Sequence, residues 1–163
     1  MSATMAGKGV ESRILAEGYG PGAWHGNDMK AALADVTPDL AFWRPAPGRH
    51  NIAEIAVHHA YYVRAVRERI AGKGTEPFVF SGDDWFAVDT AATMAWPAIQ
   101  TLVADQHHAL EALVADVEAG RAASTLDDTE RFNNVIGIAC HAVYHAGQVQ
   151  LIKALKTSSA AKP

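Results

Sequence analysis

The chain has a single cysteine, Cys140, among 163 residues. This excludes an intramolecular disulfide and any cysteine-rich zinc site, and it agrees with a reducing compartment. Aromatic residues are also few, at 8 %, and charged residues make up only 20 % beside 49 % hydrophobic residues. That balance belongs to a folded globular chain, not to a disordered one. Positive charge is scarce and spread out: 14 basic residues give a net charge of -4, which leaves no phosphate-binding footprint. Nucleic acid is therefore not an expected partner. Arg64, Arg67 and Arg69, with Glu68 between them, alternate with apolar residues as at the solvated edge of an amphipathic helix.

No apolar run reaches the length expected of a bilayer span, and the first residues show no basic flank followed by an apolar block. The expectation is no membrane, no secretory signal and a cytoplasmic location. Also missing are HExxH, GxSxG, GxGxxG, Walker and paired-carboxylate patterns, which removes support for metalloprotease, α/β-hydrolase, nucleotide-binding and glycosidase readings. Strand patterning is nearly absent, with only "PFVFS" (77–81) looking strand-like.

What remains is helical periodicity in four segments, with no internal repeat. It predicts one all-α domain over 1–163, a four-helix bundle, with flexible ends at about 1–12 and 157–163. The length is sufficient to bury a core without a structural metal, so any metal is expected to be functional. The first helix is expected from Pro21–Trp24 to Val36, followed by an extended connection in which Phe42 and Trp43 are packing anchors between prolines. The second begins at Asn51 as N-cap, with Glu54 three residues on, and ends near Gly72. Its stripe is Ile52, Ile55, His59, Tyr62, Val63, Val66 and Ile70. The aromatic stretch "GTEPFVFSGDDWF" (74–86) is expected to lie over one end of the bundle. The third helix runs from about Ala95 or Pro97 to Glu118, and the fourth from Asn133 or Asn134 to Lys156, before a fraying tail.

Eight histidines stand at 25, 50, 58, 59, 107, 108, 141 and 145. His141 and His145 are four residues apart on one helix, about one turn, close enough to share a first-row metal ion. A hydrogen-bonded polar stripe is the plainer alternative. Val135, Ala139, Ala142, Ala146 and Val149 mark a second face, so this helix is expected to pack on two sides, where an unpaired imidazole costs about 1–3 kcal/mol. A third ligand has to come from another helix, and His58, His59, His107, His108, Glu54 and Glu111 are the candidates. Periodicity alone does not choose between His58 and His59; His58 shares a face with Glu54, as a ligand with a supporting carboxylate or as a surface ion pair. His107 and His108, among Asp105, Gln106 and Glu111, read as a solvent-edge stretch. Cys140 reads as a buried structural thiol, and Gly147 as a place where another helix approaches closely. Tyr144 and Gln148 flank the pair, either to orient a substrate or a water or simply to pack. Trp24 and His25 are expected to fix the entrance of the first helix, with closing the pocket as the alternative.

"HAVYHAGQVQLIK" (141–153) and "HNIAEIAVHHA" (50–60) together resemble the last-helix and second-helix motifs of the DinB-like (YfiT-like) family of four-helix bundles, candidate metalloenzymes; "WHGNDMKAALADVTPDLAFWRPAPG" (24–48) resembles its opening. The resemblance implies a metal triad of His58, His141 and His145, with His59 where relatives usually have an aliphatic residue. It implies a divalent ion, zinc or nickel by preference and iron as an alternative, bound by neutral imidazoles. It further implies thiol-dependent chemistry, since relatives include transferases and an isomerase that use a low-molecular-weight thiol as nucleophile; the leading expectation for this chain is a homodimer and a metal-dependent enzyme of that kind, a thiol S-transferase. A non-catalytic, stress-related binding module and a metal-dependent hydrolase are the alternatives. Catalytic residues other than the ligands are not assigned.

Overall fold

The computed structural model of the chain describes residues 9–74 and 77–160. Among them are six helices and no strand: α1 (Val10–Tyr19), α2 (Met29–Ala34), α3 (Pro38–Ala41), α4 (Ile52–Ala71), α5 (Trp96–Glu118) and α6 (Asp128–Ala160). The bundle is a ring of α1, α5, α4 and α6, in which α4 and α1 each pack against both α5 and α6. The all-α expectation holds, with "PFVFS" irregular.

The membership of the bundle differs from the expectation. Its first helix is α1, where Leu15, Ala16 and Tyr19 recur at helical spacing and are buried. The segment from Pro21 to Val36 is not one helix, because Gly20, Gly22 and Gly26 take positive φ before Asp28 starts α2. Asp28 accepts from the backbone N–H of Ala31 at 2.8 Å and of Gly22 at 2.9 Å, capping a short helix that packs on α6. Phe42 and Trp43 pack against the core as anchors, although the connection includes the single turn α3. Ends expected to be flexible lie outside the described residues at 1–8 and 161–163; Val10 is already helical, and α6 continues past Lys156 to Ala160.

The Asn51–Glu54 capping box opens α4 as the spacing predicts, and Gly72 ends it in the left-handed conformation at φ 70°. Pro97 lies in the first turn of α5. α6 begins earlier than the expected Asn133 or Asn134, because Asp127 and Glu130 form a reciprocal cap: the Glu130 N–H donates to Asp127 at 2.8 Å and the Asp127 N–H to Glu130 at 3.3 Å.

Two apolar clusters fill the bundle. One gathers Tyr19, Ile52, Val57, Ile99, Ala142 and Val149, the other Leu15, Val63, Ile70, Leu110, Val114 and Val135. Every helix of the ring contributes to both. The change from one cluster to the other falls between Val103 and Leu110 on α5, where His107 stands, between Ile138 and Ala142 on α6, where His141 stands, and just after His59 and Ala60 on α4. The connection over 77–95 covers the α4 side of this layer: Phe78 and Phe86 pack on Tyr61, Phe80 packs on Phe86, and the Asn51 side chain donates to the Val88 carbonyl at 2.9 Å.

α6 is more apolar than the sequence reading allowed. A stretch within Asp128–Ser159 is long and apolar enough by composition to cross a membrane, with mean hydropathy 1.2, and 44 % of it is buried inside the bundle. Cys140 is exposed, against the expectation of a buried thiol, because among the described residues no helix covers its side of α6. Gly147 likewise has open space where a Cβ would stand; the close helix approach occurs instead at Gly18, whose Cβ position lies 2.8 Å from the Ala139 backbone.

Candidate metal centre

α4 supplies His58 and α6 supplies His141 and His145. One nitrogen from each falls within 4.8 Å of the others, a group able to hold a metal ion. His141 Nε2 lies 3.3 Å from His58 Nε2 and 3.1 Å from His145 Nε2. A tetrahedral ion with metal–nitrogen bonds of about 2.0–2.1 Å separates its ligand atoms by about 3.3–3.4 Å. The spacing therefore suits a divalent ion with little movement.

The far side of each ring strengthens the fit. His58 Nδ1 faces the Asp84 backbone carbonyl at 2.8 Å, and His145 Nδ1 faces Gln148 Oε1 at 2.6 Å. Both oxygens are acceptors, so both Nδ1 atoms carry the hydrogen and both Nε2 lone pairs point inward, as ligation requires. Burial is the first cause of low basicity here. It holds His58 below the ordinary imidazole value and takes His145 down to about 4 and His141 to about 3, with His145 and His58 lowering His141 further. The triad is thus neutral at physiological pH, the form that binds metals.

Of the candidate supports, Gln148 holds His145 and donates through Nε2 to the Tyr144 hydroxyl at 3.1 Å, which leaves Tyr144 one step removed and largely exposed. Glu54 makes no bond to His58. Its buried carboxylate instead takes two bonds from Arg44, at 2.7 and 3.0 Å, one from His50 at 3.1 Å, and the Asn51 N–H at 3.3 Å. Burial pushes the Glu54 carboxyl up, but these bonds outweigh it and leave it below the usual carboxylate value. Neither surface ion pair nor support for His58, it ties the start of α4 to the Arg44 segment.

Several neighbours escape sequence reasoning. Trp85 stacks on His58 with ring centres 3.8 Å apart and on His50 at 3.7 Å, while Asp84 accepts the Tyr62 hydroxyl through its carboxylate. His107 corrects the solvent-edge reading: it is buried with 1 % exposure, whereas His108 is exposed. His107 Nε2 lies 2.7 Å from His59 Nε2, and His59 Nδ1 lies 2.9 Å from His141 Nδ1. The position of His59 on the core stripe was the available signal; polar flanks hid His107. His25 is exposed and bonds the Glu17 carbonyl at 2.8 Å at the end of α1, and Trp24 is 92 % exposed, so neither closes the centre. Beside His141, a groove of about 320 Å³ runs between α4 and α6, with Tyr62, Val66 and Ile138 as walls and Arg69, Asn133 and Asn134 at its far end.

An all-α bundle with three inward imidazoles on two facing helices is a helical protein whose core can hold a metal ion. The chain belongs to the DinB superfamily, whose family model matches residues 23–148, a span holding all three histidines. Members of that superfamily are typically metal-binding helical proteins. No curated protein and no solved structure gives a significant match to the chain.

Proposed function

We propose that His58, His141 and His145 bind a divalent metal ion, zinc or nickel, and that the chain is a metal-dependent enzyme, a transferase acting with a low-molecular-weight thiol. The observation that carries the metal is the convergence of three Nε2 lone pairs whose rings are fixed from behind, two of them by oxygen acceptors. Such an ion lowers the pKa of a bound thiol or water and polarises an electrophile. The chain's own contribution is to keep the three imidazoles neutral, to hold His58 against Trp85, and to present the groove beside His141 to a small cosubstrate. The Arg69 and amide end of that groove suits a carboxylate, a group common to small cellular thiols. The same proposal has the chain act as a cytoplasmic homodimer joined along the outer face of α6.

Metal analysis of the protein purified after zinc or nickel loading tests the site. About one ion per chain is expected in the wild type and none in His141→Ala; equal substoichiometric metal in both rejects the triad. Turnover of an electrophile that needs both metal and thiol supports the transferase. Turnover with metal alone favours hydrolysis, and a metal that raises Tm without any turnover favours a binding module.

A further inference from the structure

We infer that His59 and His107 are positioning residues for the metal ligand His141, forming a hydrogen-bonded line of imidazoles whose direction is set when the ion binds. The inference rests on the metal reading above and concerns residues that this reading does not use.

To offer the Nε2 lone pair to a metal, a neutral His141 must carry its hydrogen on Nδ1, 2.9 Å from His59 Nδ1. Two neutral ring nitrogens at that distance bond only if one holds a hydrogen and the other does not. His59 Nδ1 is then the acceptor, so His59 carries its hydrogen on Nε2 and donates it across 2.7 Å to His107 Nε2. His107 in turn carries its hydrogen on Nδ1. The opposite direction ends with a hydrogen on His141 Nε2, the atom 3.3 Å from His58 Nε2 and 3.1 Å from His145 Nε2, where it blocks ligation. His58 and His145 have no such choice, because oxygens fix their tautomers. His141 is thus the one ligand of the triad whose readiness depends on other histidines.

The line ends inside the protein. His107 Nδ1 is buried and has no hydrogen-bond partner among the described residues, while its ring stacks on Tyr19 with centres 3.7 Å apart. The opposite direction leaves no N–H there and gives the His141 Nε2 hydrogen an acceptor in His145 Nε2 at 3.1 Å, so the direction needed for ligation is the one the protein alone disfavours. Binding of the ion offsets that cost and reverses the line. No net charge moves: each ring stays neutral, and only the nitrogen that carries the hydrogen changes.

Two measurements on the full chain test this. Long-range proton–nitrogen NMR of the histidine-labelled protein, with chelator and then with zinc, is expected to show the nitrogens of His59 and His107 exchanging their hydrogen-bearing roles. Competition of zinc with a chromophoric chelator is expected to give about 10–100-fold weaker binding for His59→Leu, the range for loss of a ligand's hydrogen-bond partner. His59→Asn, whose amide oxygen can accept from His141 Nδ1, should recover most of that loss; a merely space-filling role would not distinguish the two. Unchanged tautomers in the wild type, or zinc affinity in His59→Leu equal to wild type, overturns the inference while leaving the metal site standing. A wild-type chain that binds no zinc overturns both. Should His59→Leu fail to fold, the wild-type NMR result decides.

Discussion

A histidine buried in a protein core titrates unlike one in water, and His107, stacked on Tyr19, is an instance in this chain. Burial takes it down to about 3, with His108 adding to the effect. In the unfolded chain the same ring has its ordinary value near 6.5. Between these values the unfolded state binds the proton and the folded state does not, so this ring's contribution is complete above about pH 6.5. It is lost progressively as the pH falls toward 3, at a rate of up to about 1.4 kcal/mol per pH unit. Urea unfolding of the chelated protein at a series of pH values should therefore show a plateau above neutrality and a steep decline below it. In His107→Phe, which keeps a ring against Tyr19, the decline should be shallower even if the plateau is lower. Equal slopes in the two proteins contradict a neutral buried His107. The exposed His108 serves as the control, since His108→Gln should leave the steepness of the wild-type decline nearly unchanged.

At the scale of the helices, glycine position separates what the bundle requires from what it tolerates. At Gly18 a Cβ would stand 2.8 Å from the Ala139 Cα and carbonyl, backbone atoms that cannot swing aside, so α1 and α6 touch only because no side chain intervenes. Gly18→Val should cost about 1–3 kcal/mol by overpacking, read as a fall in urea midpoint, with a compensating loss at no other helix. Gly137→Ala meets nothing within 4 Å and replaces a poor helix residue, so it should leave stability unchanged or raise it by up to about 1 kcal/mol. The same contrast explains which elements are legible in the sequence. α4 announces itself through a cap, a long apolar stripe and a terminal glycine, and α5 through its periodicity and proline. α1 is short, and much of its packing face is small residues, Ala16 and Gly18 beside Leu15 and Tyr19, so its pattern is weak although its packing is intimate. The triad is readable once two spaced motifs are joined. Trp85 and Asp84 are not, because they reach His58 from an irregular connection whose path no periodicity encodes. Glu54 misleads for a related reason: helical spacing puts it near His58, but Arg44, ten residues earlier and outside the helix, claims its carboxylate.

Across the whole molecule, α6 has more apolar surface than the other described residues cover. From Phe132 to Ile152 it carries no Asp, Glu, Lys or Arg. One side, with Val135, Ala142, Ala146 and Val149, is in the core, and a second presents His141 and His145 to the triad. The third is open: Ile136 is 40 % exposed, Val143 38 %, Tyr144 64 % and Leu151 60 %, with Cys140 and Gly147 between them. A helix whose outer side faces only water is ordinarily polar there, and a continuous apolar strip of this kind marks a contact surface. A twofold pairing of α6 with its copy would cover the strip, and open space at Gly147 would let the two backbones approach. Analytical ultracentrifugation should then find a dimer at micromolar concentration that persists in high salt, since no charge lies in the strip. The double substitution Val143→Asp with Leu151→Asp should give a monomer that still binds its metal, because neither side chain belongs to the triad. A wild-type monomer at every concentration, or an undiminished dimer in the double variant, rejects α6 as the joining face. Tyr144 links this surface to the centre, since it lies on the strip and accepts the Gln148 amide whose oxygen holds His145. If the dimer forms here, the monomeric variant should therefore bind zinc more weakly than wild type, while Tyr144→Phe, which loses only the hydroxyl, should weaken zinc binding without dissociating the dimer.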